Sequence, residues 1–215
     1  MFPRFSDKPL RAPPAAAPTG LLVSCAGRRF TIGVDELAAL PQRVQQCDFH
    51  CVTTWTYQGA TWGGVAMLDV WEQLMKKRAG ESLGATWFAT KGADRYEAFL
   101  HCDDLLAPGV LLATTLDGEP LSDRHGAPMR LVSPAQYGYK NVKHLVGFEL
   151  LAGLPAGRLS AKEHPRARVH LEERHPRVPG RALRLPYRLF VAPTALISER
   201  SANTAAAAQP AQPAG

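Results

Sequence analysis

Short apolar runs cut by turn residues dominate this chain, and they restrict it to a sheet-rich fold. Leu21–Cys25, Arg29–Val34, Arg43–Cys51, Thr86–Thr90, Tyr96–Leu100, Val110–Thr115, Met129–Ser133 and Leu145–Leu151 all have strand length, bounded by Gly, Pro or Asp residues. Ala26-Gly27-Arg28 and Asp117-Gly118 read as turns between paired strands, Gly59–Gly64 as a further turn-rich stretch, and Pro134–Asn141 as a loop. Helical spacing is sustained at Met67, Leu68, Trp71, Leu74 and Met75. That run closes on Lys76-Lys77-Arg78 and Gly80, a basic last turn followed by a C-terminal glycine. Asp35 is placed to cap a short helix over Glu36–Leu40, stopped by Pro41. The pattern predicts an α+β fold with predominantly β mixed sheets and a few short helices.

Charge divides the chain in two. Residues 158–215 carry 10 Lys/Arg against 4 Asp/Glu, while residues 1–157 hold 15 of each, so the net +6 belongs to the C-terminal quarter. A basic balance confined to an appendage gives the main domain no nucleic-acid signature. No apolar stretch has the length of a membrane span, and residues 1–20 lack a signal-type apolar region. The expected organisation is an extended arm at 1–20, a domain at 21–157, a basic extension at 158–200 and a disordered tail at 201–215. Pro165, Pro176, Pro179 and Pro186 exclude one long amphipathic helix from the extension. Its alternative roles are a solvated wrap around the domain and a docking arm for a redox partner.

The chemistry concentrates in three runs. The first is Asp48-Phe49-His50-Cys51-Val52-Thr53-Thr54-Trp55. On a strand, alternation puts Cys47, Phe49 and Cys51 on one face and turns His50 away from Cys51. The second is His125-Gly126-Ala127-Pro128-Met129-Arg130, and the third is Tyr137-Gly138-Tyr139-Lys140-Asn141-Val142-Lys143. A thiol, a guanidinium, two amines and tight glycine turns suit a soft metal carried on an anionic group. Trp55, Trp62 and Trp87 read as core residues.

Together these runs resemble the molybdopterin-binding domain of the sulfite oxidase family, which includes sulfite oxidases, assimilatory nitrate reductases and bacterial methionine sulfoxide reductase catalytic subunits. The resemblance covers residues 20–151 and implies that family's fold and a molybdenum–molybdopterin cofactor. It implies Cys51 as the metal's thiolate ligand and two-electron oxygen-atom transfer on a small oxyanion or a sulfoxide. It carries Arg130 over as a catalytic and cofactor contact, and His125, Tyr139, Lys140, Asn141, Lys143 and, more loosely, Thr90 as cofactor contacts, with Asp94 beside Thr90. The chain departs from the family at Asn141, where Ser is usual, and at His144, where Trp is usual. It also shows no N-terminal Arg/Asn contact segment, no haem domain, no immunoglobulin-like dimerisation domain and no twin-arginine signal. Those departures lead to the expectation of a monomeric, cytoplasmic, stand-alone domain.

Three other readings stand beside this one. A zinc-binding structural protein would use Cys47, Cys51 and Cys102 with His50, although Cys47-x-x-His50-Cys51 is not the spacing of a closed finger. A nucleophilic cysteine would pair Cys51 with His125, without an evident orienting residue. A non-catalytic binding module would retain the fold without turnover.

Overall fold

The computed structural model describes residues 20–80 and 84–189. Nearly all of the expected N-terminal arm, and the whole of the expected tail, lie outside the described residues. Ten strands follow in chain order: β1 (Gly20–Cys25), β2 (Arg28–Gly33), β3 (Gln42–His50), β4 (Thr56–Ala66), β5 (Trp87–Gly92), β6 (Glu97–His101), β7 (Leu111–Leu116), β8 (Glu119–Pro120), β9 (Arg130–Val132) and β10 (Leu145–Leu151). They form two five-stranded sheets. One is ordered β2-β1-β10-β5-β6, antiparallel except that β1 runs parallel to β10. The other is ordered β3-β4-β7-β8, with β9 also paired to β7.

Alternation builds the core between them. Leu21, Val23, Phe88, Leu100 and Phe148 from the first sheet meet Val65, Leu112 and Leu131 from the second. Leu111, Ala113 and Val132, one residue out of phase, turn to a smaller cluster with Ala60, Trp62 and Leu121. The helical run is one continuous helix, Met67–Val70, Trp71–Met75 and Lys76–Ala79, with a π-type middle turn. Met67, Val70 and Met75 are buried in the main core, and Trp71 meets the Phe88 ring edge-on at 5.5 Å. Gly80 ends the helix at φ 80°, a conformation that favours glycine.

Three local expectations need correction. The cap of the first helix, Val34–Ala38, is Gly33, whose amide donates to Glu36 Oε2 at 2.9 Å; Asp35 lies inside the first turn. Gly59–Gly64 is not a turn but the middle of β4. Close approach by β7 explains Gly63 and Gly64, because a Cβ on Gly64 would stand 2.0 Å from Leu112 O and one on Gly63 2.3 Å from Thr115 Oγ1. In β3, a register shift between Cys47 and Phe49 breaks the single face expected for Cys47, Phe49 and Cys51.

The basic extension is docked rather than loose. Ala167 O accepts from Tyr137 N at 3.0 Å, and Val169 N donates to Ala135 O at 2.9 Å. Arg166 grips Asp104 through two bonds of 2.6 and 2.7 Å, and Arg158 bonds Glu97 at 2.6 Å. Residues 180–189 form a helix with Arg181, Arg184, Leu185 and Arg188 at the spacing of one face. Arg158 and Arg166 thus spend their charge on holding the segment to the domain.

Gly64→Ala should lower the unfolding free energy by about 2 kcal/mol, since the new methyl meets backbone that cannot yield. Gly153→Ala, with open space around its added Cβ, should be close to neutral. Urea denaturation of both variants checks the contrast.

Candidate functional site

Cys51 follows the last residue of β3 and opens a tight turn. Its amide donates to Trp55 O at 2.9 Å, Thr54 N returns to Cys51 O at 3.1 Å, and Thr54 takes φ 81° to close the loop. The thiol lies 3.1 Å from Thr53 Oγ1. Burial pushes the Cys51 pKa upward, and the Thr53 hydrogen bond and the charge of Arg174 pull against that rise. Without a metal, the group is therefore a neutral thiol at neutral pH. That direction counts against a nucleophilic Cys51–His125 pair, which requires a lowered thiol pKa. His50 Nδ1 lies 3.0 Å from Thr56 Oγ1 on the neighbouring strand.

The second and third runs arrive beside this turn through Phe49. Gly138 has no side chain because Phe49 occupies the space: an added Cβ would sit 2.7 Å from the ring. The Arg130 guanidinium lies over Phe49 at 5.6 Å and over Trp62 at 5.0 Å from the ring centres. Its nitrogens donate to His125 O at 3.0 Å and Asn141 O at 3.3 Å. One buried cation thereby ties all three runs together.

The remaining expected contacts divide by exposure. Thr90 is fully buried on β5 and donates to Ala98 O at 2.9 Å. Asn141 accepts from Ser133 N at 2.6 Å and donates to Tyr137 O at 3.3 Å. Lys140 is fully buried, with Nζ 2.6 Å from Phe99 O and beside the Tyr139 ring. These groups hold the loop in shape. His125, Lys143, His144 and Tyr139 stay partly open. Lys143 Nζ donates to Arg124 O at 3.0 Å, and His144 N donates to Gly126 O at 3.2 Å, so the His125–Gly126 and Lys143–His144 pairs lie against each other. Gly126, at φ 103°, permits that approach, since an added Cβ would be 2.9 Å from Lys143 Cβ. His144 Nδ1 is 2.7 Å from Ala127 O. Asp94 Oδ1 accepts from Tyr96 N at 2.9 Å.

Sequence reasoning missed Arg174. Its Nη1 donates to Val52 O at 2.6 Å inside the Cys51 turn, and its guanidinium lies 4.8 Å from the Tyr137 ring centre. The only advance signal was the charge excess of its segment, because 122 residues separate it from Val52. Among the described residues, Arg174 Nε and Tyr137 Oη are buried without a hydrogen-bond partner.

The donor chemistry tests what this place could hold. Among the described residues, no three His, Cys, Asp or Glu side chains converge as a metal site. Cys47 Sγ is engaged by Gln45, and Cys102 Sγ, its pKa pushed up to about 11 by burial, donates to Ala85 O at 3.3 Å. A zinc site from Cys47, Cys51 and Cys102 is therefore not assembled. A metal at Cys51 has to bring its other ligands with it, which is what a dithiolene-bearing organic cofactor does. The half-open cations and the unpartnered polar atoms suit an anionic carrier, so the residues present fit that group.

Comparison with known proteins gives the same direction. The family model described as "Oxidoreductase molybdopterin binding domain" matches residues 21–156. The "Uncharacterized oxidoreductase YuiH" of Bacillus subtilis is 33% identical over 118 residues, 55% of this chain and 57% of that protein. The "Putative protein-methionine-sulfoxide reductase subunit YedZ1" of Azospira oryzae is 33% identical over 124 residues, 58% of this chain and 45% of that one. The chain spans about half the length of these curated relatives. Among solved structures, the sulfane dehydrogenase SoxCD of Paracoccus pantotrophus shares the fold at a TM-score of 0.54. Its identity is 19%, covering 68% of this chain and 40% of that one.

Lys140 makes a pH prediction. Burial lowers its pKa from 10.5 to about 8, below the unfolded value, and the charges of Glu163 and Asp104 only partly offset this. The fold then sheds the proton before the unfolded chain does, so stability from this group rises with pH between about 8 and 10.5. The gain is on the order of 3 kcal/mol. Lys140→Met should remove that slope. Unfolding free energies of both proteins at pH 7 and pH 10 check it, and a difference independent of pH would refute the assignment.

Proposed function

The chain belongs to the oxidoreductase molybdopterin-binding family, and on that premise we propose that it performs two-electron oxygen-atom transfer with Cys51 as the thiolate ligand of molybdenum. Family membership makes it an oxidoreductase domain that binds the molybdenum–molybdopterin cofactor. The observation that carries the finer reading is the assembly around Arg130, which joins the Cys51 turn to both anion-binding runs.

When bound, the cofactor supplies a metal that can exchange an oxygen atom together with two electrons. The chain's own part is holding and charge. Cys51 gives up its proton only against a strong positive centre, because burial otherwise keeps the thiol neutral. The Thr53 hydroxyl can then donate to the sulfur it already neighbours at 3.1 Å. Arg174 pins Val52 O and so fixes the turn that aims the sulfur. His125 and Lys143, both half-exposed, are suited to the anionic end of the cofactor. Arg130, Lys140 and Asn141 serve it by shaping the loop through backbone bonds.

A sulfoxide is the favoured substrate class, supported by the likeness to the Azospira methionine-sulfoxide reductase subunit and to the "Protein-methionine-sulfoxide reductase catalytic subunit MsrP" of Xanthomonas campestris. The latter is 42% identical over 60 residues, 28% of this chain and 19% of that protein. A small oxyanion is the alternative. Docking of a redox partner on the basic segment 158–189 belongs to the same proposal.

Metal and pterin analysis of the purified protein, followed by a screen of sulfite and sulfoxides with artificial electron carriers, tests the reading. One molybdenum per chain is expected; zinc or no metal would overturn it. Cys51→Ser should leave the circular dichroism and urea midpoint nearly unchanged while oxygen-atom transfer falls below detection. A fully active Cys51→Ser protein would end the assignment.

A further inference from the structure

A pocket of about 740 Å³ opens beside the Cys51 turn, lined by Thr54, Trp55, Arg174, Arg181, Arg184, Leu185 and Arg188. All but Thr54 and Trp55 come from beyond residue 156, where the family match ends. Thr54 and Trp55 belong to the loop closed by the Cys51 N to Trp55 O bond, so one wall of the pocket is the Cys51 turn itself.

The lining has two chemistries. Trp55 and Leu185 offer an apolar surface, and four guanidiniums offer charge. Glu172, paired with Arg184, offsets one of these, leaving three net positive charges. Arg181 and Arg188 have no ion pair among the described residues, although other arginines of the segment, such as Arg158, Arg166 and Arg168, are paired. Arg174 is only 9% exposed, and its Nε is unpartnered among the described residues. The volume falls within the range of pockets for drug-sized molecules, roughly 300–1,000 Å³, and far exceeds what an ion of a few atoms fills.

We propose that this pocket binds an organic anion, its apolar body on Trp55 and Leu185 and its oxyanion head on Arg174, Arg181, Arg184 and Arg188. The ligand is the substrate, held beside the Cys51 turn; this last step rests on the molybdenum reading above. The segment after residue 156 thereby selects the substrate, and the domain core performs the chemistry. Guanidiniums in a row suit a carboxylate, sulfonate or phosphate head equally, through two-pronged hydrogen bonds.

The test is calorimetric titration of the full-length protein with phenyl phosphate, inorganic phosphate and phenol, with molybdenum content measured on the same samples. Phenyl phosphate should bind at one site per chain, at least about tenfold more tightly than either fragment. The double variant Arg181→Gln/Arg188→Gln should weaken it at least about tenfold. Arg177→Gln, exposed on the same segment but outside the pocket, should leave it unchanged. No binding, equal binding of inorganic phosphate, or equal weakening by Arg177→Gln would overturn the pocket. Failure here with molybdenum present leaves the metal reading standing. Binding as expected in a protein without molybdenum supports the pocket and overturns the metal reading alone.

Discussion

A single buried cation organises this protein. Arg130 is 3% exposed, sits between the rings of Phe49 and Trp62, and donates to the carbonyls of His125 and Asn141. A guanidinium removed from water without compensation would cost several kcal/mol. Here two aromatic faces and the backbone oxygens of His125 and Asn141 meet part of that cost. Such a face contributes about 2 kcal/mol or more when desolvated. The consequence is geometric. Phe49 belongs to the strand leading to Cys51, Trp62 to the paired strand, and the two carbonyls to the loops that carry the other runs. Displacing Arg130 would release all of them together, so the site's shape and the second sheet's stability share one origin.

The same economy governs the C-terminal extension. Counted along the chain, it holds the whole net positive charge. In the fold, Arg158, Arg166, Arg168 and Arg184 meet carboxylates, and backbone bonds at Ala135 and Tyr137 fasten the segment across the loop that completes the site. Charge that looked like a free surface property becomes partly an internal fastening. Of what is left, Arg174, Arg181 and Arg188 line the pocket beside the Cys51 turn. Exposed ion pairs contribute little individually, so the docking depends on their number and on the backbone bonds beside them.

Much of the fold was legible because period-two alternation and turn chemistry are local. β10 was bounded at both ends, β1 nearly so, and the helix ending at Gly80 was placed by its apolar spacing and basic last turn. The failures also have a common cause. Gly59–Gly64 looked like a turn because Gly63 and Gly64 are explained only by β7 pressing on them. The bulge between Cys47 and Phe49 depends on pairing with β4, and the short helix Cys102–Leu105 was not anticipated. At the site, the three runs could be named from residue types. Whether each polar atom turns inward or outward could not, since Lys140 is fully buried while Lys143, three residues on in the same loop, is half-exposed.

The sequence by itself determined the class of fold and the family of cofactor, and it supplied the thiol proposed as the metal's ligand. Residue identity at fixed spacing is enough to recognise those. Only the tertiary structure decided which cations remain available to an anion. Burial converted Arg130 and Lys140 into framework, while docking of the extension brought Arg174 onto the Cys51 turn from 122 residues away. A charge acquires its role from the dielectric and the partners that surround it, and these exist only once the chain has folded.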